Sequence, residues 1–132
     1  LLELGCGEGH QTLHFASLAR QTYGLDVSEK AIERARERVP AGKFAAADIF
    51  SQPWLDAGAR VDLVTACEVR YDLSDVEATL KRMSELGRNC LVTIFAPAAR
   101  RVGPHLERIP GLKKDWVWYG GTVWLVCWWR NE

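Results

Sequence analysis

A chain of 132 residues, 48% hydrophobic and 26% charged, has the make-up of one soluble globular domain with a proper core. Its 17 basic and 17 acidic side chains cancel, so nothing in the bulk charge points to a nucleic-acid partner. The four cysteines (Cys6, Cys67, Cys90 and Cys127) stand far apart with no CxxC pair, which speaks against a zinc site or disulfide framework and fits a reducing cytoplasm, while neither a signal-peptide pattern nor an apolar run of about 20 residues suggests a membrane.

The first element is an apolar strand, Leu1–Leu4, broken by three glycines spaced two apart: Gly5, Gly7 and Gly9. Because the opening residue already lies in this strand, a natural N-terminal segment is expected to be missing from the chain. A helix follows from about Gln11 to Arg20, with Leu13, Ala16 and Leu18 among its apolar positions. Thr22–Val27 reads as a second strand, and Ser28 caps a helix in which Ala31, Ile32, Ala35 and Val39 keep helical spacing up to Pro40. The charges of that helix (Arg34, Arg36 and Arg38 among Glu29, Glu33 and Glu37) read as a solvated face.

Lys43–Ile49 is a third strand, Gln52–Arg60 a loop or short helix, and Val61–Cys67 a fourth strand. Ser74 is expected to cap a helix with Val76, Leu80 and Met83 on one face and Gly87 at its end. Cys90–Phe95 is a fifth strand, and Pro104–Ile109 one short helix. The alternation then breaks: Asp115–Tyr119 and Thr122–Trp129 are separated only by Gly120-Gly121, the signature of a tight hairpin. The second arm is apolar throughout, as in a strand buried on both faces, while Lys113-Lys114 beside the first arm suits an edge. Five of the six tryptophans lie in the hairpin and read as core and helix-packing residues, since no basic track accompanies them. The fold class is therefore α/β: a Rossmann-like, doubly wound sheet of five parallel strands followed by an antiparallel hairpin, as a single domain over residues 1–132.

A strand, a glycine turn and a helix, in that order, let a nucleotide-like ligand touch the backbone at the end of an open sheet. Dinucleotide binding wants G-x-G-x-x-G, but His10 stands at the sixth position, and no Gly-Lys-Ser/Thr follows to make a phosphate loop. Glu3, two residues ahead of Gly5, is poor company for a pyrophosphate. It suits an ammonium or sulfonium group, or it accepts hydrogen bonds from the turn's own N–H groups. His10 and His14 lie one helical turn apart with no third ligand, so no metal is expected.

The segment Glu3-Leu4-Gly5-Cys6-Gly7-Glu8-Gly9 resembles the first motif of class I S-adenosylmethionine-dependent methyltransferases. The resemblance runs in order along essentially the whole chain. It implies S-adenosyl-L-methionine as cofactor, with Glu3, Gly5, Cys6 and Gly7 at the turn. Asp26, followed by Val27, matches the acidic residue that holds the ribose hydroxyls; read alone it is a candidate strand-end cap, and its register with the glycine turn favours the ribose. Ala47-Asp48-Ile49 resembles the motif in which the acid meets the adenine amino group and its neighbour packs on the ring. Val61–Glu68 resembles the fourth motif and sets Cys67 beside the methionine part, and the hairpin resembles the family's sixth and seventh strands.

The family's reaction is an in-line displacement at the sulfonium methyl, which asks mainly for alignment and exclusion of water. Catalytic candidates follow the fourth strand: Glu68 to hold or deprotonate an acceptor and Tyr71 to orient it, with Arg70 and Asp72 nearby. These residues read equally well as a strand end and a helix start. Cys67–Leu73 is similar to the E-V-L-Y-Y-L stretch of small-molecule methyltransferases, including nodulation-type N-methyltransferases of sugar amines, and departs from it at Arg70 and Asp72. No N-P-P-Y tetrapeptide of the nucleic-acid type is present. The expected function is methyl transfer to nitrogen or oxygen of a small-molecule acceptor. The alternatives are a non-catalytic cofactor-binding or partner subunit and a nicotinamide-dependent oxidoreductase.

Overall fold

The computed structural model describes residues 1–67 and 75–132. In it the apolar runs pair as β1 (Leu2–Leu4), β2 (Tyr23–Asp26), β3 (Lys43–Ala46), β4 (Val61–Cys67) and β5 (Gly87–Phe95), all parallel. β6 (Lys113–Tyr119) and β7 (Thr122–Arg130) form the antiparallel hairpin, with β7 against β5. The order across the seven-stranded sheet is β3-β2-β1-β4-β5-β7-β6, so the chain winds outward in both directions from the β1/β4 junction.

Alternation along the strands divides the core. Leu2, Leu4, Val64, Ala66, Cys90 and Val92 face Val76, Leu80, Met83 and Leu86 of α3 (Val76–Leu86) and Val102 and Leu106 of α4 (Ala96–Leu106). On the opposite face, α1 (His10–Ala16) and α2 (Glu29–Arg38) cover β1 to β3, and a smaller core gathers Cys6, Ile32, Ala35, Val39 and Phe44. Ser28 caps α2 as expected, its hydroxyl accepting from the Ala31 N–H.

Several elements differ from the sequence expectation, each for a local reason. α1 stops at Ala16, where Ser17 bonds back to the His14 carbonyl through its hydroxyl, at 2.7 Å, and its N–H, at 3.3 Å. β3 ends at Ala46 rather than Ile49, because the Asp48 side chain accepts from the Phe50 N–H at 2.8 Å and turns the chain away. Gln52–Arg60 is a loop, held by the Gln52 side chain bonding Trp54 and Leu55. Gly87 does not close α3 in a left-handed cap; with φ −114° it opens β5 directly. A Cβ there would lie 2.8 Å from Val64 Cγ2, so the glycine serves close approach of helix end to sheet.

α4 spans Ala96–Leu106 where a short helix beginning at Pro104 was expected. Pro97 occupies its first turn, where a missing N–H costs nothing, and Pro104 falls in its last turn. Ser74, the expected cap of α3, lies outside the described residues.

The hairpin forms with both turn glycines at positive φ, 58° and 77°, and β6 is the sheet's exposed edge. Its tryptophans correct the expectation of a core role. Only Trp129 is fully buried; Trp116, Trp118 and Trp128 are exposed. The cause is one-sided cover: α3 and α4 bury Leu125, Cys127 and Trp129, while no described helix lies over the other face of β7.

Candidate functional site

The parallel strands bring Leu4, Asp26, Ala46 and Cys67 to one edge of the sheet, and the order in which strands are laid down reverses between β1 and β4. Open α/β sheets bind ligands at such a switch point. The glycine turn lies at this position. Gly5, Gly7 and Gly9 all take left-handed backbone, with φ of 66°, 53° and 80°, which L side chains avoid.

The glycines have different tasks. A Cβ on Gly7 would meet nothing within 4 Å, so this residue faces open space. A Cβ on Gly9 would stand 3.2 Å from the Ala35 Cα and Cβ, so Gly9 lets the turn settle on α2. Gly9→Ala should therefore lower folding stability by about 1–2 kcal/mol, the cost of a left-handed alanine, read from urea unfolding.

Asp26 joins the turn to the second strand. Its Oδ2 accepts from the Gly7 N–H at 3.0 Å and its Oδ1 from the Ser28 N–H at 2.9 Å. Val27, next to it, is 77% exposed although apolar. Asp48 is exposed at the end of β3, and Ile49 beside it packs against the main core. Gly5, Gly7, Asp26, Val27, Asp48 and Cys67 thus share one edge. Glu68 and Tyr71 lie outside the described residues.

Two predicted residues sit beneath this edge. Glu3 is buried on the face covered by α1, and its carboxylate accepts from the Thr12 hydroxyl rather than from the turn's N–H groups. Burial pushes this carboxyl up to about 7, against the Thr12 bond, which pulls it down. Thr65 stands directly across from Glu3 on β4, and its buried hydroxyl has no hydrogen-bond partner among the described residues. Cys6 points into the smaller core, while its N–H donates to the Leu25 carbonyl and its carbonyl accepts from Gly9. Burial and the nearby Glu3 and Asp26 carboxylates push its thiol up to about 12. Alkylation of Cys6 by iodoacetamide at pH 8 should run roughly a hundredfold or more slower in the folded chain than in the unfolded one, as followed by peptide mass spectrometry.

Sequence reasoning missed the groups that brace the turn. Arg34 pairs with the Glu8 carboxylate, and Arg38 donates to the Glu8 carbonyl. The Arg34 hydrogen bond holds the Glu8 carboxyl below the ordinary carboxylate range. These arginines belong to the helix face read as merely solvated, and only the three-dimensional contact between α2 and the turn reveals their second role. Thr12 left a fainter signal: a glutamate inside an apolar strand requires a buried partner.

Residues 2–89 match the family described as Methyltransferase domain. Over 75 residues the chain is 36% identical to a probable S-adenosylmethionine-dependent methyltransferase of Mycobacterium tuberculosis strain H37Rv, a match covering 57% of this chain and 27% of that protein. The matched stretch is thus little more than a quarter of that relative's length. Among solved structures, magnesium protoporphyrin IX methyltransferase of Synechocystis PCC 6803 with bound SAM superposes at a TM-score of 0.78 with 16% identity, over 99% of this chain and 69% of that one. N-methyltransferase NodS of Bradyrhizobium japonicum WM9 gives 0.77 with 21% identity, over 98% and 84%. With its seven-stranded order, its glycine turn at the switch point and this match over two thirds of its length, the chain belongs to the methyltransferase-domain family.

Proposed function

We propose that this chain is the cofactor-binding core of an S-adenosylmethionine-dependent methyltransferase acting on nitrogen or oxygen of a small-molecule acceptor. The observation that carries the reading is the Asp26 carboxylate, fixed at the switch point by the Gly7 and Ser28 N–H groups. Each of its oxygens keeps lone-pair capacity beyond those bonds, so the pair can still accept from a vicinal diol. The names of the Mycobacterium relatives, and the solved neighbours holding SAM or S-adenosylhomocysteine, support this choice of cofactor.

The residues present fit such a cofactor, because Gly7 leaves open the space a side chain would fill. Gly5 and Gly7 offer their main chain to it and Asp26 holds the ribose. Asp48 faces the adenine amino group, Val27 and Ile49 flank the ring, and Cys67 borders the methionine portion. Glu3 and Cys6 act from beneath, through Thr12 and the smaller core.

The bound cofactor supplies a methyl group activated on a sulfonium sulfur. This chain has then to align an acceptor lone pair and keep water out. Glu68 and Tyr71 are assigned to hold and orient the acceptor. Zero net charge supports a small molecule over a nucleic acid, and no helix among the described residues is long and apolar enough to cross a membrane.

Calorimetric titration tests the reading. S-adenosylmethionine and S-adenosylhomocysteine should bind with dissociation constants on the order of micromolar, and NAD should give no heat. NAD binding without either sulfur compound would overturn it.

A further inference from the structure

β6 carries the outer edge of the sheet, and all seven of its residues are exposed. Trp116, Trp118 and Tyr119 show 57%, 77% and 80% of their surface. Tyr119 and Thr122 flank the two-residue turn Gly120-Gly121 and so form a hydrogen-bonded pair. Alternation then gives the bonds to β7 to Lys113, Asp115, Val117 and Tyr119, and turns the N–H and C=O groups of Lys114, Trp116 and Trp118 outward. In keeping with this, the Trp116 N–H donates to the Asp115 carboxylate at 2.8 Å. An open edge bearing three large rings is a template for another strand, a feature that proteins ordinarily blunt.

The side chains of Lys114, Trp116 and Trp118 share the face of Cys127, Leu125 and Val123, the face covered by α4. Between α4 and β6 runs a groove of about 360 Å³, whose walls include Ala96, Ala99, Gly103, Pro104, Lys114 and Trp116. That is about the space of a dozen waters, room for an indole ring. The Lys114 ammonium donates to Glu107, which lines the same groove, at 2.9 Å.

We propose that β6 pairs antiparallel with β6 of a second copy of this chain, about a two-fold axis at Trp116, and extends the sheet across a homodimer. The sequence of the strand is complementary to itself in this register. Lys114 faces Trp118 of the second copy and Lys113 faces its Tyr119, so each lysine lies against a ring. Trp118 of the second copy arrives beside Lys114, where the groove opens, and the two Trp116 rings meet on the axis. Moving the axis to Lys114 would set that lysine against itself; moving it to Trp118 would run Trp116 onto the turn at Gly120. At about 200 Å² per aromatic side chain, the exposed parts of the three rings offer on the order of 800 Å² across the pair. The lysine stems bring the contact close to the roughly 1,000 Å² of a specific interface. Asp115 opposes the union, since it occupies the Trp116 N–H and stands diagonal to its own copy, and it keeps the dimer reversible.

Sedimentation velocity of the full chain should show a reversible dimer with a dissociation constant on the order of 10 µM. Trp118→Lys removes a ring and sets two lysines face to face, so it should weaken the dimer roughly tenfold or more. Adding Lys114→Glu to that variant restores an opposite-charge pair and should recover most of the loss. Cross-linking reads the register separately. Trp116→Cys should join to itself under copper phenanthroline, because the axis brings its two Cα atoms to about 5.5 Å. Tyr119→Cys, which faces Lys113 of the second copy, should not. A chain still monomeric at about 200 µM would leave the edge to a strand of another protein and overturn the proposal. A dimer indifferent to Trp118→Lys, no recovery in the charge swap, or cross-linking through Tyr119→Cys in place of Trp116→Cys would each overturn it as well. None of these readouts involves the cofactor, so the pairing and the methyltransferase reading stand or fall separately.

Discussion

Replacing Asp26 with asparagine should weaken S-adenosylhomocysteine binding by about 1–3 kcal/mol, roughly one to two decades in affinity. The carboxylate has two separate duties. Toward the protein it accepts from the Gly7 and Ser28 N–H groups, one on each oxygen. Toward the ligand it offers charge and spare lone pairs to the ribose hydroxyls. Asparagine fills the same volume but keeps one acceptor oxygen and turns an NH2 donor toward the other backbone N–H. Folding stability should fall by less than binding does, because Asp26 is only partly buried and water can replace the lost backbone partner. Calorimetry with a parallel urea melt separates the two quantities. An unchanged affinity would remove the ribose assignment; equal losses in both would reduce Asp26 to a cap for its strand.

Glu3→Gln should change the pH dependence of stability by about 3 kcal/mol between pH 4 and pH 8. Burial raises the Glu3 carboxyl from an ordinary value of 4.5 to about 7. Between those values the unfolded chain has released the proton and the folded chain still holds it. Stability from this group is therefore full below about pH 4.5 and is lost as pH rises through about 7. Glutamine keeps an oxygen to accept from Thr12 and has no proton to lose. Urea melts of both proteins across this range should diverge, the native chain weakening with rising pH relative to the variant. Parallel curves would mean that Glu3 titrates normally and is hydrated, contrary to its burial beneath α1.

What could be read from sequence follows the range of the forces involved. The alternation of strands and helices and the hairpin were legible because apolar patterning, glycine spacing and Ser28 capping act over a few residues. The turn was legible because left-handed backbone at alternate positions demands glycine. Contacts between distant segments were not. Nothing near Arg34 or Arg38 in the chain announces that they grip Glu8, and Cys6 lies in the motif yet turns its side chain inward. The tryptophans show the same limit. Composition says that five crowd the hairpin, but only the arrangement of α3 and α4 decides which face of β7 is covered.

In the proposed reading a sulfonium cofactor lies along the edge formed by the glycine turn and the ends of β2, β3 and β4. Amide chemical-shift mapping during addition of S-adenosylhomocysteine tests it most directly. The largest shifts should fall on Gly5, Gly7, Val27 and Asp48, with little change along α3. Saturation that leaves those amides still, or shifts confined to the face beneath α3 and α4, would contradict it.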